Sequence, residues 1–335
     1  MTLNFLIIGD THFKVSNIPE VELFMERITQ LALDKKPDRI IILGDQLDTH
    51  EKLHTIPLNK SYKFITTMRS IAKTYILVGN HDMISNSEYL NTNHWMNSMK
   101  EWDNLVVVDK ILTETIDGHL FVFSPYVYPS RFEEALNTLN NGEDWRKAKI
   151  IFCHQEFKGC KMGSIISIEG DKWPIDYPDI ISGHIHSNQR PQKNIYYPGS
   201  AMQHAFGESK KNIIAFISIF DTSYYVVEID LNLPRKKIIY TDMSSIDTCE
   251  IDTKNKVRLT VSGNQDEFKS FKKTKKYRQL INDGVKIIFK AKNILANQTI
   301  VINEEENFYS TLNKLVLNEQ NTYLSQTYDL VIKNK

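Results

Sequence analysis

Short apolar runs that end abruptly in polar residues constrain the fold of this 335-residue chain more than any other feature of its sequence. The runs occupy residues 3–8, 39–43, 74–78, 149–153 and 179–181. They are too short for buried helices and rich in β-branched residues, which is typical of internal strands. Between the first two runs, apolar residues recur at spacings of three and four, which predicts an amphipathic helix. The order strand, helix, strand predicts crossover connections.

Further runs predict more strands in the first 230 residues. They lie at residues 105–108, 119–124, 212–220 and 224–229. Because these runs follow closely on one another, we expect them to form an added antiparallel portion. The fold class predicted from the whole pattern is α/β, with the main body built as a layered sandwich.

The strand pattern pauses near residues 231–234, which predicts a domain boundary. We expect a catalytic domain at residues 1–232, a smaller α+β domain at 233–295 and a C-terminal tail at 296–335. In the tail, one helical face is predicted to carry Phe308, Leu312, Leu315 and Val316. That face packs either on the chain's own body or on a partner chain.

The net charge is zero, but the charges are unevenly distributed. Residues 233–295 hold 15 Lys and Arg against 7 Asp and Glu, a balance of +8, which leaves −8 elsewhere. Such a segment is either a solvated surface or a binding surface for an anionic partner. Its densest part contains Lys269, Lys272, Lys273, Lys275, Lys276 and Arg278.

The composition, with 41% hydrophobic and 24% charged residues, is that of an ordinary globular protein. No run approaches the roughly 18 apolar residues that span a bilayer, and the first residues do not resemble a secretory signal. Three cysteines, Cys153, Cys160 and Cys249, cannot all pair and lack zinc-ribbon spacing. We therefore expect an intracellular protein, in the cytoplasm, nucleoid or nucleus, that is not secreted, binds no membrane and keeps its thiols reduced.

Asp, His and Asn residues follow the five strand-like runs. They are Asp10, His12, Asp45, Asn80, His81, Asp82, His154, His184 and His186. Each residue alone is an ordinary turn or cap residue, but the set occurs in order, each time after an apolar run. Because ligands bind outside the carboxyl ends of strands in open α/β sheets, we expect these side chains to converge at one edge.

Imidazoles, carboxylates and an amide oxygen together suit a pair of divalent transition ions. Asp45 is the expected bridge, because each of its two oxygens can bind one ion. The neighbouring glycines, Gly9, Gly44, Gly79 and Gly183, would allow the backbone to approach closely beside the ligands. Cys153 directly precedes His154, but alternation along a strand points its side chain to the opposite face, into the core.

The ordered motifs Asp-x-His, Gly-Asp-x-x-Asp, Gly-Asn-His-Asp, a single His and Gly-His-x-His resemble those of the calcineurin-like metallophosphoesterase superfamily, over residues 5–200. The resemblance implies a β-sandwich flanked by helices, in αββα layers, that hydrolyses phosphate esters with a metal-held water. It implies one metal held by Asp10, His12, Asp45 and His186, and a second held by Asp45, Asn80, His154 and His184. It also implies that His81 contacts the scissile phosphate and that Asp82 orients His81.

Residues 197–208, with Tyr-Pro-Gly-Ser and then Phe-Gly-Glu, resemble a segment of SbcD-type DNA repair exonucleases. In that family a strand pair, a Pro-Arg linker and a small capping domain follow, and here Pro234-Arg235 lies at the start of the basic segment. The resemblance implies an exonuclease and endonuclease subunit that acts as a homodimer beside an SbcC-type coiled-coil ATPase. The two divalent ions expected from the mixed nitrogen and oxygen ligands are Mn²⁺ foremost, with Fe²⁺, Zn²⁺ and Mg²⁺ as alternatives. The six basic residues named above would contact DNA.

Two other functions stay open at this point. A stand-alone metallophosphatase or phosphodiesterase would act on a small molecule or a phosphoprotein with the same metal motifs. A catalytically silent scaffold for an ATPase is the third hypothesis, against which the intact ligand set argues. His50, His54 and His204 have no assigned role, and we expect them to support the structure.

Overall fold

The computed structural model describes residues 2–50, 52–209, 211–252, 254–292 and 308–333, in two compact units, Met1–Lys290 and Ala291–Lys335. The strands are β1 (Leu3–Ile8), β2 (Arg39–Ile42), β3 (Lys73–Leu77), β4 (Leu105–Val108), β5 (Leu112–Ile116), β6 (His119–Phe123), β7 (Ile150–Cys153), β8 (Lys161–Met162), β9 (Ile165–Ile166), β10 (Asp179–Ser182), β11 (Gln189–Gln192), β12 (Ile195–Tyr197), β13 (Ile214–Ile219), β14 (Tyr224–Ile229), β15 (Lys236–Asp242), β16 (Lys256–Gly263) and β17 (Lys286–Ala291). The helices are α1 (Ile18–Lys35), α2 (Thr55–Ile71), α3 (Phe132–Leu136), α4 (Gln265–Phe271), α5 (Lys275–Asn282), α6 (Phe308–Asn318) and α7 (Thr322–Tyr328).

Two six-stranded mixed sheets form the main body. The first has the order β14-β13-β1-β2-β3-β4 and the second the order β11-β12-β10-β7-β6-β5. Strands β1 to β4 are parallel, as are β6, β7, β10 and β12. The expected antiparallel portion is therefore correct for β13 and β14 and wrong for β4. Strand β6 pairs antiparallel with β5 and parallel with β7. Closeness in sequence misled here, because β4 and β5 are consecutive yet belong to different sheets.

The core lies in three layers around these sheets. Side chains such as Phe5, Tyr75, Phe123 and Phe152 fill the space between the sheets, where Tyr75 and Phe123 stack 4.2 Å apart. Alternate residues of the first sheet face α1 and α2, and those of the second face α3 and the loops around it. The predicted α/β sandwich in αββα layers is confirmed. Cys153 lies fully buried on the outer face of the second sheet, as predicted.

A third sheet, of order β15-β16-β17, lies in the basic part of the chain. Helices α4 and α5 pack on one of its faces, where Leu259 and Val261 of β16 meet Phe268, Phe271 and Leu280. This three-stranded sheet and its two helices surround an apolar cluster of their own. The boundaries at residues 232 and 295 stay predictions, and the second lies outside the described residues.

The second unit contains α6, α7 and a π-helical turn, Asp329–Lys333. On α6, Val316 is buried whereas Leu315 is 59% exposed, and the side chain of Phe308 lies outside the described part. The proposed role of this face in binding a partner stays a prediction. Among the described residues, every helix is too short or too polar to cross a membrane.

Candidate metal centre

Five strand ends supply the side chains of the candidate site. Asp10 and His12 follow β1, Asp45 follows β2, and the 3₁₀ turn Asn80–Asp82 follows β3. In the second sheet, His154 follows β7, and His184 and His186 follow β10. Because these are carboxyl ends of parallel strands, they meet at one edge of the sandwich. The structure brings together all seven residues that were predicted as metal ligands.

The first ligand group consists of Asp10, His12 and His186, whose donor atoms lie within 4.8 Å of one another. The Nε2 atoms of His12 and His186 are 3.0 Å apart. The backbone of His184 donates a hydrogen bond of 2.8 Å to Asp10 Oδ1. This bond joins the ends of β1 and β10, which belong to different sheets.

The second ligand group consists of Asp45, His154 and His184, together with the amide of Asn80. Asn80 Oδ1 lies 3.1 Å from His154 Nε2 and 2.9 Å from His184 Nδ1. The amide nitrogen of Asn80 donates to Asn86 Oδ1 at 2.9 Å, which fixes the oxygen toward the imidazoles. His154 Nδ1 lies 2.7 Å from the carbonyl of Leu43, which leaves Nε2 facing the group.

Asp45 lies between the two groups. Its Oδ2 is 3.5 Å from His12 Nε2 and 3.3 Å from His154 Nε2. Its Oδ1 instead accepts a hydrogen bond of 2.9 Å from the backbone of His81. The expectation that each oxygen binds one ion therefore differs from the geometry, because the same oxygen faces both groups.

Glycines allow this crowding, as the sequence predicted. Gly44 has φ +104°, and a Cβ there would lie 2.6 Å from His154 Nδ1. A Cβ on Gly79 would lie 2.2 Å from Asp45 Oδ1. Any side chain at these positions would therefore displace a candidate ligand.

The electrostatics of the cluster fit bound cations. Burial raises the pKa of Asp10, whereas burial lowers that of His12. For Asp45 burial raises the pKa, but the imidazoles of His154, His12 and His81 outweigh it and hold that pKa well below its usual range. Within the described chain, buried Asp10 Oδ2 and His12 Nδ1 have no hydrogen-bond partner. Unpartnered oxygen and nitrogen donors that converge in a buried site suit divalent metal ions.

His81 lies at the rim of the cluster and is partly exposed. Its Nδ1 is 2.7 Å from the carbonyl of Asp48, its ring stacks on His50 at 4.5 Å, and it meets His12 edge-on at 4.8 Å. A donor N–H at Nδ1 leaves Nε2 as the atom available to a substrate. His81 also falls within 4.8 Å of His12 and Asp45 ligand atoms, so the geometry also allows it to bind a metal.

The predicted orientation of His81 by Asp82 is wrong. The Asp82 carboxylate accepts hydrogen bonds from the backbone of Gln46 at 3.2 Å, from the backbone of Gly79 at 3.1 Å and from Trp95 Nε1 at 2.9 Å. The Asp82 carboxylate is buried. Its pKa is raised to about 6, mainly by this burial and secondly by the nearby charge of Asp45. Asp82 thus ties the loop after β2 to the turn after β3, and the carbonyl of Asp48 holds the His81 ring.

Two further residues support the candidate ligands: His204, which was expected to have a structural role, and Glu208, to which the motifs gave no role. His204 Nε2 lies 2.9 Å from the carbonyl of Asp10, and its ring lies 4.8 Å from that of His12. Glu208 Oε1 lies 3.3 Å from His186 Nδ1, and its other oxygen accepts from the backbone of His204 at 2.8 Å. Burial raises the pKa of Glu208, but the bond with His186 outweighs it and lowers that pKa to about 2. The Phe-Gly-Glu motif was the available signal for Glu208.

The six basic residues predicted to contact DNA lie on and beside α4 and α5, not in the metal cluster. Five are exposed and Lys276 is half-buried. Lys269 pairs with Asp266 at 2.8 Å, and Lys276 donates to the carbonyl of Asp247. Among the described residues, no hydrogen bond or ion pair joins these helices to the candidate metal ligands.

The described residues 203–208 connect the cluster with the small basic sheet. Gln203 accepts a hydrogen bond from the backbone of Lys236 at 2.7 Å, and Lys236 Nζ donates to the carbonyl of Gln203. The guanidinium of Arg258 lies 5.1 Å from the ring centre of Phe206. Since Leu259 faces α4 and α5, alternation along β16 puts Arg258 on the other face. The same short segment thus touches the metal ligands through His204 and Glu208.

Comparison with known proteins agrees with this geometry. The family model of calcineurin-like phosphoesterases matches residues 3–188. "Putative phosphoesterase 078R" of Invertebrate iridescent virus 3 is 44% identical over 87% of this chain and 85% of its own length. "Putative phosphoesterase 244L" of Invertebrate iridescent virus 6 is 47% identical over 81% of this chain and 97% of its own length.

One solved structure, GAP50, the anchor in the inner membrane complex of Plasmodium, is similar over 69% of this chain and 85% of that chain. Its TM-score of 0.45 and identity of 14% carry no weight for function. The family match spans more than half of the chain and includes every candidate metal ligand. The chain therefore belongs to the calcineurin-like phosphoesterase family.

Proposed function

We propose that this phosphoesterase is a DNA nuclease, the exonuclease and endonuclease subunit of an SbcCD-type repair or recombination complex. Manganese is the proposed metal, and an SbcC-type coiled-coil ATPase and a second copy of the chain are the proposed partners. The proposal depends most on the contacts of the segment 203–208. It contacts the metal ligands on one side and the basic three-stranded sheet on the other.

The chain's own residues divide the chemical tasks. Two divalent ions held by the seven ligands would lower the pKa of a bound water and neutralise phosphate oxygens. His81, with its Nδ1 held by the Asp48 carbonyl, would present Nε2 to the scissile phosphate and protonate the leaving oxygen. Its role as an acid rather than a ligand is a proposal that metal content can test.

The charge distribution supports a polymeric anion as substrate. Residues 233–295 carry +8 while the remainder carries −8. Lysines and arginines that neutralise DNA phosphates release counterions, which gives affinity without reading sequence. Segment 203–208 contacts the candidate ligands and, through Phe206, the face of the basic sheet opposite α4 and α5, so DNA bound by those helices would have to pass around that sheet to reach the metals. Binding should therefore be strong at low salt and tolerant of sequence.

A specific observation favours the second candidate, a phosphatase or phosphodiesterase for a small molecule. A cavity of about 490 Å³ adjoins the rim of the cluster. It is lined by His50, Leu53, Asp82, Met83, Ile84, Thr92, Asn93, His94, Trp95 and Asn97. Such a volume suits a small ligand. The charge of the basic sheet has no function in this alternative.

One assay separates the two candidates. The purified chain is incubated with Mn²⁺ and either labelled linear duplex DNA or an aryl phosphodiester. Cleavage of duplex that falls steeply with added salt, together with aryl ester hydrolysis, supports the nuclease. Robust hydrolysis of the aryl ester without cleavage of DNA selects the small-molecule enzyme. If the metal-loaded chain hydrolyses neither the DNA nor the aryl phosphodiester, the result supports the scaffold hypothesis.

A further inference from the structure

The hairpin of β8 and β9 carries an exposed apolar cluster. Met162, Ile165, Ile166 and Ile168 are 39%, 65%, 55% and 72% exposed. Single exposed aliphatic residues are common on surfaces, but four within seven residues form a patch that suggests a binding role. Met162 and Ile165 are direct cross-strand neighbours, beside the two-residue turn in which Gly163 has φ +65°. The tip of the hairpin is therefore apolar.

Hydrogen bonds fix this hairpin beside the metal ligands. Lys161 donates its backbone N–H to Gln189 Oε1 at 2.8 Å, and its carbonyl accepts from Gln189 Nε2 at 2.9 Å. The same carbonyl accepts from the hydroxyl of Ser187 at 3.2 Å. Because Ser187 directly follows His186, β8 is anchored one residue from a candidate ligand.

The other end of the hairpin is anchored in the same way. Asp171 follows the hairpin and accepts a hydrogen bond of 2.6 Å from Gln155 Nε2. Gln155 directly follows His154, a ligand of the second group. The anchor between Asp171 and Gln155 is buried, whereas the anchor at exposed Lys161 uses half-buried Ser187 and Gln189. Both anchors follow candidate ligands, so the hairpin stands at the ligand-bearing edge of the sandwich.

Positive charge surrounds the apolar tip. Lys158, Lys161 and Lys172 are exposed, against one exposed acid, Glu169, in residues 158–172. Within the part of the chain that the structure describes, these three lysines form no ion pair. An apolar tip flanked by unpaired lysines matches the two chemistries of a nucleic acid, stacked bases and phosphates. A protein partner is a poorer match, since stable interfaces use about 20–30 residues a side.

We propose that this hairpin inserts Met162 and Ile165 between the base pairs at a DNA end. Aliphatic wedges of this kind are known to unstack base steps in other protein–DNA complexes. The flanking lysines would hold the backbone of the opened strand and direct it toward the metals. The inference rests on the proposed nuclease function and names its substrate as an opened duplex end.

The test uses 2-aminopurine in the terminal base pair of a blunt duplex, whose fluorescence rises when the base unstacks. In EDTA, where cleavage is suppressed, addition of the chain should raise the signal severalfold. The double variant Met162→Ser, Ile165→Ser should lose at least about four-fifths of that rise. Leu33→Ser, at an aliphatic side chain on α1 that is 51% exposed, is the matched control and should keep the full rise.

Aryl phosphodiester hydrolysis with Mn²⁺ serves as the folding control, and the double variant should stay within about twofold of the parent. A 2-aminopurine signal in the double variant equal to that of the parent would overturn the wedge. A double variant whose oligomeric mass differs from that of the parent would also overturn it, because the hairpin would then be a protein interface. Cleavage of duplex by the parent chain without any fluorescence rise would refute the wedge alone. Absence of both DNA binding and DNA cleavage would refute the proposed function and the wedge together.

Discussion

The metal cluster and the small basic sheet place their charged groups in opposite ways. In the cluster, Asp10, Asp45 and His154 are almost fully buried and share contacts with one another. Beside the basic sheet, Lys272 and Lys273 are exposed in the turn between the short helices α4 and α5, and their basic neighbours on those helices are mostly exposed. Buried groups that share partners depend on each individual residue, whereas exposed charges act through their sum.

This difference predicts how each region responds to substitution. One change in the cluster should remove function, because the carboxylate of Asp45 faces both ligand groups. One change on the basic helices should have little effect, because each lysine supplies one of several equivalent charges. Five experiments can break or sharpen this comparison.

Substitution of Asp45 should have the largest effect. Asp45→Asn keeps the shape but removes the charge that faces His12 and His154, so we expect loss of bound metal and of aryl phosphodiesterase activity to background. Metal content measured by mass spectrometry and initial rates check this. Glu114→Gln, which alters a carboxylate that pairs with Lys73 and Arg39, is the control and should keep both. Retention of two ions by Asp45→Asn would remove Asp45 as the bridge.

His81→Ala should reduce turnover by about 10²- to 10⁴-fold while metal content stays unchanged, because a general acid is lost but the ligands stay. Paired rate and metal measurements on the same sample check it. Asp82→Asn should reduce activity less, since Asp82 binds backbone amides rather than the His81 ring. Loss of metal from His81→Ala would instead assign His81 as a ligand.

Gly44→Ala should destabilise the fold by about 4 kcal/mol, because the new Cβ would clash with the imidazole of His154. Gly118→Ala is a matched control, since its φ of +79° is also positive but nothing lies within 4 Å of the added Cβ. The control should cost about 1–2 kcal/mol. Urea unfolding measures both, and equal losses would mean that the ligand loops are less crowded than described.

Neutralising four exposed or half-exposed lysines, Lys272, Lys273, Lys275 and Lys276, to Gln should weaken DNA binding in a graded way. The slope of log affinity against log salt should fall by about 2 to 4, since each lost phosphate contact removes about 0.9. Filter binding over a salt series checks it. The control variant changes four exposed lysines elsewhere to Gln, namely Lys36, Lys63, Lys110 and Lys193. Its slope of log affinity against log salt should stay steeper than that of the first variant. An unchanged slope would take α4 and α5 out of the DNA path.

The smallest effect concerns a carboxylate outside both regions. Asp109 contacts His94 at 3.2 Å and also contacts Lys100. Burial raises the pKa of Asp109, but the hydrogen bonds with His94 and Lys100 outweigh burial and lower that pKa to about 2. Because this lies below the unfolded value of 3.8, the carboxylate stabilises the fold above about pH 4 and loses that effect as pH falls toward 2. Asp109→Asn should therefore cost about 2 kcal/mol at pH 7 and little near pH 2. Urea unfolding at several pH values tests this, with exposed Asp103→Asn as the control.

The sequence predicted the convergence of the candidate ligand side chains, for a physical reason. Each ligand follows an apolar run, and the parallel pairing of β1, β2 and β3 brings those strand ends to one edge. The glycines were also informative, since Gly44 and Gly79 lie where a Cβ would clash with His154 and Asp45. Local patterns sufficed because the fold converts strand order directly into proximity.

Contacts between distant segments could not be predicted in the same way. The hydrogen bonds of Asp82 to Gln46 and of His81 to the Asp48 carbonyl depend on how two loops pack, which no residue spacing encodes. The contact of Glu208 with His186 likewise joins segments that local periodicity treats separately. The direction of β4 was missed because neighbours in sequence were assumed to be neighbours in a sheet.

The central claim is that Asp45 Oδ2, which faces both candidate ligand groups, would help to hold two metal ions together with side chains from both sheets. Crystals grown with Mn²⁺ and measured near the manganese absorption edge test it most directly. We expect two anomalous peaks roughly 3.5–4 Å apart, one beside Asp10, His12 and His186 and the other beside Asn80, His154 and His184, with Asp45 Oδ2 between them. A single peak, or two peaks without Asp45 between them, would contradict this account.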